Sequence, residues 1–315
     1  MTSAEQSKVL DDLFGNSIEW DEQQPHVGYI KCPGEDKHTH KTGRKDCRIY
    51  LDGVPTVFCL HQRCAEEVEE LTSNVRGALK SAGFEMPKMS EAIRQKARDK
   101  HSFARTAERL HEAREDIFKR YAWSAKEIWT EGKDSVQMPT WGRTLSFFLE
   151  RLFDAEDVIW IGNPMQSGPG YGDFFQSRDV WRSHKPNKSA QFVCPNPFKF
   201  GSVQRATHCL SAHKYFVIEG DDCHEDPDVN RDRCGAIFKW AMEQKPNLKL
   251  RAVVDAGNKS LHGWFDFDED LYDWARGVLP GLGADPATMR LAQPVRLPGQ
   301  KRDNGKEQRL LWISQ

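Results

Sequence analysis

The chain has 315 residues, of which 38% are hydrophobic and 29% charged, and its formal net charge is −2. This apolar content supports a sizeable core, and the length allows one large domain or two smaller ones. The near-neutral balance excludes a globally basic nucleic-acid binder, so any such surface must be a local patch. The sequence shows no signal peptide and no apolar run of about 18 residues, which predicts a cytoplasmic protein.

The N-terminal part of the chain divides into two segments. Residues 1–24 are polar and acidic, which predicts a tail or a marginal helix. Residues 25–83 contain the pair Asp52-Gly53 between two β-rich runs, and such a pair is a strong hairpin signal. Apolar residues at three- and four-residue spacing then predict a helix over residues 65–82.

Four potential metal ligands flank this hairpin with the spacings Cys-x5-His and Cys-x4-Cys: Cys32, His38, Cys59 and Cys64. Two ligand-bearing turns joined by a hairpin are typical of a zinc ribbon, and a closed four-ligand site is structural. The segment is too short and polar to fold by apolar burial alone, which favours a metal over a metal-free thiol-containing element. Three neighbouring residues compete as ligands: His40, His61 and Cys47.

The rest of the chain mixes helical and strand patterns. Residues 84–110 carry bases interleaved with acids, which predicts a linker leading into a solvated helix. Residues 163–188 are rich in Gly, Ser, Pro and Asn, which predicts a long surface loop. Residues 111–315 therefore form the main domain, and its strands and helices predict an α+β fold with a mainly antiparallel sheet.

An acidic strand end stands out in this domain. The apolar run 215–218 leads into Glu219-Gly220-Asp221-Asp222. Side chains on a strand alternate with period two, so Glu219 and Asp221 are expected on one face. Adjacent carboxylates repel each other unless a cation or proton lies between them, so the stretch predicts a divalent-metal site. A strand running into an acidic surface loop is the alternative.

Two further groups fit the same chemistry. Lys259-Ser260-Leu261-His262 follows a glycine-containing turn, and Asp285 precedes a cationic C-terminal stretch. Clustered carboxylates with nearby cations suit phosphoryl or nucleotidyl transfer, because the acids hold two divalent ions and the cations neutralise a triphosphate.

These motifs resemble those of the archaeo-eukaryotic-type primase-polymerases of the phage and plasmid mobile-element branch. That family has an acid pair after an apolar strand, then a Ser-x-His, then a later single acid. The matching segments are Glu219-Gly220-Asp221, Ser260-Leu261-His262 and Asp285, with Arg296-Leu297-Pro298-Gly299 similar to the end of such domains. The resemblance covers roughly residues 140–315, and the Cys/His segment is similar to zinc elements attached to primases.

The chain departs from the family pattern at two places. The first acid is Glu219 where Asp is commoner, and Asp285 lacks an apolar run before it. Asp255 and Asp222 therefore remain rivals for the role of third acid.

The resemblance implies an RRM-like catalytic core and metal-dependent nucleotidyl transfer, in which a 3′-hydroxyl attacks the α-phosphate of a nucleotide and pyrophosphate leaves. The catalytic residues it implies are Glu219, Asp221, Asp285 and His262, and the three acids would bind Mg²⁺ or Mn²⁺. The residues expected to contact the nucleotide or template are Lys259, Ser260, His262, Arg290 and Arg296. The zinc ribbon would bind the template or the initiating nucleotide.

The implied partners are single-stranded DNA, nucleoside triphosphates and a separate helicase where unwinding is needed, because the sequence has no Gly-x4-Gly-Lys-Ser/Thr loop. No membrane partner is expected. Two other function classes stay open. A non-catalytic zinc-ribbon replication initiator or adaptor would bind DNA without consuming nucleotides. A two-metal nuclease would degrade an oligonucleotide instead of lengthening it.

Overall fold

A computed structural model describes residues 2–38, 44–61, 64–86, 91–164, 171–183, 186, 190–221 and 223–314. The fold is α+β with antiparallel sheets, as predicted. The chain forms two compact units, which we call the first unit (Met1–Ala97) and the second unit (Arg98–Gln315). None of the described helices is long and apolar enough to cross a membrane.

The first unit is built around one small antiparallel sheet, with strand order β1-β2-β3-β4. Its elements are α1 (Ser3–Phe14), β1 (Glu19–Trp20), β2 (Val27–Tyr29), β3 (Cys47–Tyr50), β4 (Thr56–Cys59) and α2 (Ala65–Ser81), and α3 (Glu91–Arg120) continues into the second unit. Helix α1 begins at a capping box, in which the side chains and backbone N–H groups of Thr2 and Glu5 bond reciprocally. Leu10 of α1 and Leu79 of α2 pack in one core with Ile49 of β3.

The second unit contains the larger part of the fold. Its helices are α4 (Ala125–Ser135), α5 (Thr144–Leu152), α6 (Arg178–Ser183), α7 (Pro227–Gln244) and α8 (Glu269–Val278). Its strands are β5 (Val158–Gly162), β6 (Phe175–Ser177), β7 (Phe192–Val193), β8 (Tyr215–Glu219), β9 (Leu250–Asp255), β10 (Leu261–Asp266), β11 (Val295–Arg296), β12 (Gln300–Lys301) and β13 (Glu307–Ile313).

These strands form two antiparallel sheets, with orders β12-β13-β9-β10-β8 and β11-β7-β5-β6. In the first of them β8 and β9 both pair antiparallel with β10, so β8 and β9 run parallel on either side of it. Helix α7 connects β8 to β9, which makes a split β-α-β unit.

The two faces of the five-stranded sheet bury different side chains. Phe216 and Ile218 pack on one side with Phe238 of α7. Val217 of β8 packs on the other side with Ile161 of β5, in a core shared with the second sheet. Because side chains alternate along β8, Glu219 lies on the same face as Val217, toward the second sheet.

The expectation of a long loop over residues 163–188 is wrong for residues 171–183, which include β6 and α6. Phe175 is buried, and the indole N–H of the buried Trp181 donates to the carbonyl of Ile159 at 2.8 Å. A few large apolar residues thus fix this segment against β5, although the surrounding composition is typical of a loop.

Candidate metal centre and candidate active site

Four side chains of the first unit converge on one point, and we call them the Cys/His cluster: Cys32, His38, Cys59 and Cys64. One potential ligand atom from each lies within 4.8 Å of all the others. This is the ligand set predicted from the sequence. Three thiols and an imidazole could hold a metal ion such as zinc. Within the part of the chain that the structure describes, no other group of three or more His, Cys, Asp or Glu meets that distance.

Local structure brings the four ligands together. Cys59 ends β4, and Cys64 stands immediately before α2. Cys32 lies in the turn that contains Gly34, and a Cβ atom at Gly34 would lie 2.6 Å from the Cβ of Cys64. Only glycine therefore allows this turn to approach Cys64 so closely.

The chemistry of the Cys/His cluster fits a bound metal ion. Burial raises the pKa of the Cys32 thiol to about 11 and that of Cys64 to about 12. Such thiols stay protonated near neutral pH unless a cation lies beside them, and a coordinating metal ion deprotonates them. The buried Nδ1 of His38 has no hydrogen-bond partner among the described residues.

The competing ligands lie beside the cluster. The Nδ1 of His61 is 3.5 Å from the Sγ of Cys59, and its ring stacks on that of His38 with centroids 3.9 Å apart. Cys47 is buried and is the cross-strand partner of Cys59 between β3 and β4. His40 lies outside the described residues.

In the second unit, Glu219 accepts hydrogen bonds from three side chains. It is the cross-strand partner of His262, and the His262 Nε2 lies 3.2 Å from the Glu219 Oε1. The hydroxyl of Ser260 donates to the same oxygen. The Oε2 accepts from the Thr288 hydroxyl at 2.8 Å. The Glu219 side chain is only 17% exposed, so these donors replace most of its water.

This environment keeps Glu219 ionised. Burial alone would raise the pKa of Glu219, but the imidazole of His262 and the hydroxyls of Ser260 and Thr288 together lower it to about 2. The backbone N–H of Arg296 donates to the His262 Nδ1 at 3.2 Å. With Nδ1 as the acceptor of this hydrogen bond, Nε2 is the nitrogen that donates to Glu219. Both ring nitrogens of His262 are therefore engaged inside the protein.

Asp285 lies directly beside Glu219. Its backbone N–H donates to the Glu219 carbonyl at 2.8 Å, and the adjacent Ala284 forms a β-bridge with Gly220. The Thr288 hydroxyl, 2.8 Å from the Glu219 Oε2, is also 3.0 Å from the Asp285 Oδ2, so it lies between the two carboxylates and can donate its one proton to either. The fold thus brings the third acid of the sequence motif next to the first.

The other acids are placed differently. The Oδ1 of Asp221 is 3.2 Å from the Nζ of Lys259. Gly220, between the two acids of the pair, has no room for a side chain, because a Cβ there would lie 2.8 Å from the Cys223 Sγ. Asp255 ends β9, and burial raises its pKa. Asp222 lies outside the described residues.

Several of these groups line one pocket of about 360 Å³, which we call the acid pocket, whereas Asp285 and Asp255 are not among its lining residues. Its polar and charged lining includes Glu219, Asp221, Lys259, Ser260, His262, Thr288, Arg296 and Arg302. Arg290, predicted as a nucleotide contact, is exposed and is not among the lining residues.

A scan against protein-family models, a search of curated proteins and a search of solved structures found no match to this chain.

Arg296 is held rigidly at the pocket wall. Its guanidinium carbon lies 3.9 Å from the ring centroid of Phe192, and its Nη1 donates to the Oε1 of Gln191 at 3.1 Å. Burial lowers the pKa of Arg296 to about 10, which leaves it charged near neutral pH. Among the described residues no carboxylate forms an ion pair with it. A fixed cation of this kind suits an anionic ligand.

Sequence reasoning missed several residues of this site, namely Gln191, Asn230, Thr288 and Arg302. The position of Thr288 three residues after Asp285, on a turn that begins with an aspartate, is a signal that could have found it. Asn230 carried no comparable signal, because it lies among many polar residues at the start of α7.

Asn230 is fully buried and clamps three backbone segments. Its Nδ2 donates to the carbonyls of Gly220 at 2.8 Å and Lys259 at 2.7 Å. Its Oδ1 accepts from the N–H groups of Cys223 and His224, both at 2.9 Å. The side-chain amide thereby links the acid pair to the Ser-x-His hairpin.

The metal content of the purified protein tests the Cys/His cluster. We expect about one zinc-type ion per chain, because the cluster forms a single four-ligand site. Replacing Cys59 and Cys64 together by serine should release the ion, as measured by elemental analysis. Cys209→Ser removes a thiol from the second unit and should leave the metal content unchanged. Full metal content in the double variant would contradict the ligand set.

The substitution Asn230→Asp tests the clamp at nearly constant volume. An ionised Asp cannot donate to the Gly220 and Lys259 carbonyls, and each buried group left unpaired costs about 1–3 kcal/mol. The free energy of unfolding of the second unit should therefore fall by at least about 2 kcal/mol, as measured by urea denaturation. The matched control is Asn247→Asp at an exposed position, and equal stability of the two variants would refute the clamp.

Proposed function

We propose that this protein is a DNA-dependent primase-polymerase, which makes or extends primers on single-stranded DNA by nucleotidyl transfer. The observation that carries the proposal is the meeting of three sequence-distant motifs around Glu219. Glu219, His262 and Asp285 come from different segments and share one hydrogen-bonded network. The split β-α-β unit of the antiparallel sheet supports the RRM-like core that the resemblance implies.

The donor chemistry of the pocket suits Mg²⁺ or Mn²⁺, which prefer carboxylate oxygens. The Thr288 hydroxyl lies within hydrogen-bond distance of both Glu219 and Asp285, and Asp221 lines the acid pocket together with Glu219. When bound there, divalent ions would stabilise the attacking and leaving oxygens of the transfer. Zinc, in contrast, would have a structural role at the Cys/His cluster.

The cations of the acid pocket bind the triphosphate in this proposal. The planar fork of Arg296 is oriented by Phe192 and Gln191, so it can hold two phosphate oxygens at little entropic cost. Lys259 and Arg302 add charge at the same pocket. His262 acts through Glu219, because both of its ring nitrogens are engaged, and it keeps that carboxylate ionised and oriented.

The first unit offers a surface for the template. Tyr29, Arg48 and Phe58 form one cross-strand row on β2, β3 and β4. The Phe58 side chain is 51% exposed, and Lys45 and Arg48 each lie 5.7 Å from the ring centroid of Tyr29. Aromatic rings for base stacking and cations for phosphates are the features of single-strand binding surfaces. The same surface would serve a non-catalytic adaptor, which nucleotide consumption distinguishes.

Substitution of the acid pair tests catalysis. Glu219→Ala and Asp221→Ala should each lower primer synthesis at least about a hundredfold, because each removes charge that holds the divalent ions. The measurement is a product gel from single-stranded DNA, nucleotides and Mg²⁺ or Mn²⁺. Asp273→Ala, at an exposed position of α8, is the control and should keep full activity.

Three results of this assay would count against the proposal. A Glu219/Asp221 double alanine variant that still extends a primer would refute the site. Shortened oligonucleotides that depend on the same acids would indicate a nuclease. DNA binding by the wild-type protein without nucleotide consumption would indicate an adaptor.

The template surface has its own test. Phe58→Ala should reduce primer initiation about fivefold or more at limiting template, since one stacked base contributes about 1–3 kcal/mol. Extension of a supplied primer should fall less, because the primer already positions the template. Leu13→Ala, an exposed apolar residue of α1, is the control. Equal losses of initiation and extension would contradict this division of roles.

A further inference from the structure

A second surface, in the other unit, carries positive charge without acids. Residues 180–218 contain no Asp or Glu, and their Lys and Arg residues are Arg182, Lys185, Lys188, Lys199, Arg205 and Lys214. Lys214 is paired with Asp154 and Asp157, and Arg182 is paired with Glu150. Lys185 and Lys188 lie outside the described residues. Lys199 and Arg205 stand in a loop over residues 197–211, which we call the Phe200 loop. Lys199 is exposed, whereas Arg205 is half-buried with its guanidinium carbon 4.4 Å from the ring centroid of Trp160. Since this loop contains no carboxylate, its formal charge is positive.

The Phe200 loop is pinned to the second sheet at its base. Phe198 forms β-bridges with Val158 at the start of β5 and with Leu210 on the returning strand. The Lys199 N–H donates to the Cys209 carbonyl at 2.8 Å. Gly201, at a φ of +77°, turns the chain at the tip. The tip is therefore presented by a closed, hydrogen-bonded base.

Phe200 projects from this tip with 97% of its surface exposed, and Val203 is also exposed. Single exposed apolar residues are common, so the ring by itself indicates little. Here it stands next to an exposed lysine, Lys199, in a loop without acids. An aromatic face beside a cation is the pair of groups that binds a base and its phosphate.

We propose that the Phe200 loop contacts single-stranded nucleic acid, with Phe200 stacked on an unpaired base and Lys199 on a neighbouring phosphate. Charge complementarity selects this occupant, because the loop is positive and every nucleotide carries a negative phosphate. The proposal goes beyond nucleotidyl transfer and does not require it.

The base of the loop and one wall of the acid pocket lie at opposite ends of β5. Phe192, on the pocket wall, pairs with Gly162 at one end of β5, and Phe198 pairs with Val158 at the other end. Four residue steps along a strand span about 14 Å. A nucleic-acid strand reaching from the pocket to Phe200 would cover only a few nucleotides, within the site sizes of about 4–16 known for single-strand binding folds.

The test measures the binding of a labelled oligothymidine to the full chain by fluorescence anisotropy. The assay contains no nucleotides and no added divalent salt. Phe200→Ala should raise the Kd about five- to a hundredfold, the effect of one lost base stack. Phe200→Trp should bind like the wild type, because it keeps an aromatic face. Phe200→Leu should bind as weakly as the alanine variant. Val229→Ala, an exposed apolar residue of α7 beside Asp228, is the matched control and should change nothing.

Two further measurements test the charge of Lys199 and the preference for single-stranded over duplex nucleic acid. Lys199→Gln should lower the slope of log Kd against log salt by about 0.7, as expected for one phosphate contact on a single strand. The effect of Phe200→Ala should be smaller on a blunt duplex, whose bases are already stacked.

Two affinities would overturn the proposal: Phe200→Ala binding within about twofold of the wild type, or Phe200→Leu keeping full affinity. An unchanged salt slope for Lys199→Gln would also overturn it. So would a Phe200→Ala variant that loses as much affinity for the duplex as for the single strand. Because the assay contains no nucleotides, a failure of catalysis leaves its result unaffected. Conversely, a negative result here leaves the primase-polymerase assignment to be judged by product synthesis alone.

Discussion

The second unit depends on how a largely buried carboxylate is kept charged. Glu219 has lost most of its water, and a buried carboxylate is stable only when hydrogen bonds and neighbouring charge replace it. His262 and Thr288 supply such bonds from separate segments, and each is placed by the backbone. A shift of the β8–β10 register by one residue would turn His262 to the opposite face. The register between β8 and β10 therefore determines whether His262 can stabilise the Glu219 carboxylate.

The polypeptide around Glu219 is also held in place by side-chain contacts. Asn230 satisfies four backbone groups at once, so the loop after Glu219 and the hairpin before Ser260 are held to one helix. Arg296 reaches the pocket from the second sheet, where Phe192 and Gln191 fix its plane. Packing of the two sheets thus decides which cation faces the acids.

The first unit also buries groups that need compensation, but these groups are thiols instead of a carboxylate. Its thiols are buried and remain neutral unless a cation compensates them, just as Glu219 requires donors. The Cys/His cluster stands at the junction of β4 and α2, so a metal ion there would tie the sheet to the helix. The small core around Leu10 and Ile49 would then gain a crosslink that apolar burial alone does not provide.

The features that depend on short spacing follow directly from the amino-acid sequence. The Cys32–His38 and Cys59–Cys64 pairs are local, and they meet because β3 pairs with β2 on one side and, through the Asp52-Gly53 hairpin, with β4 on the other. The cluster could therefore be predicted. The acid pair and the Ser-x-His are likewise local patterns on strands. Other features follow from the folded chain alone: Thr288 lies between Glu219 and Asp285, Asn230 links two motifs, Arg290 stays outside the acid pocket, and β6 and α6 occupy a loop-like stretch. These outcomes depend on packing between distant segments, which local periodicity and composition do not encode.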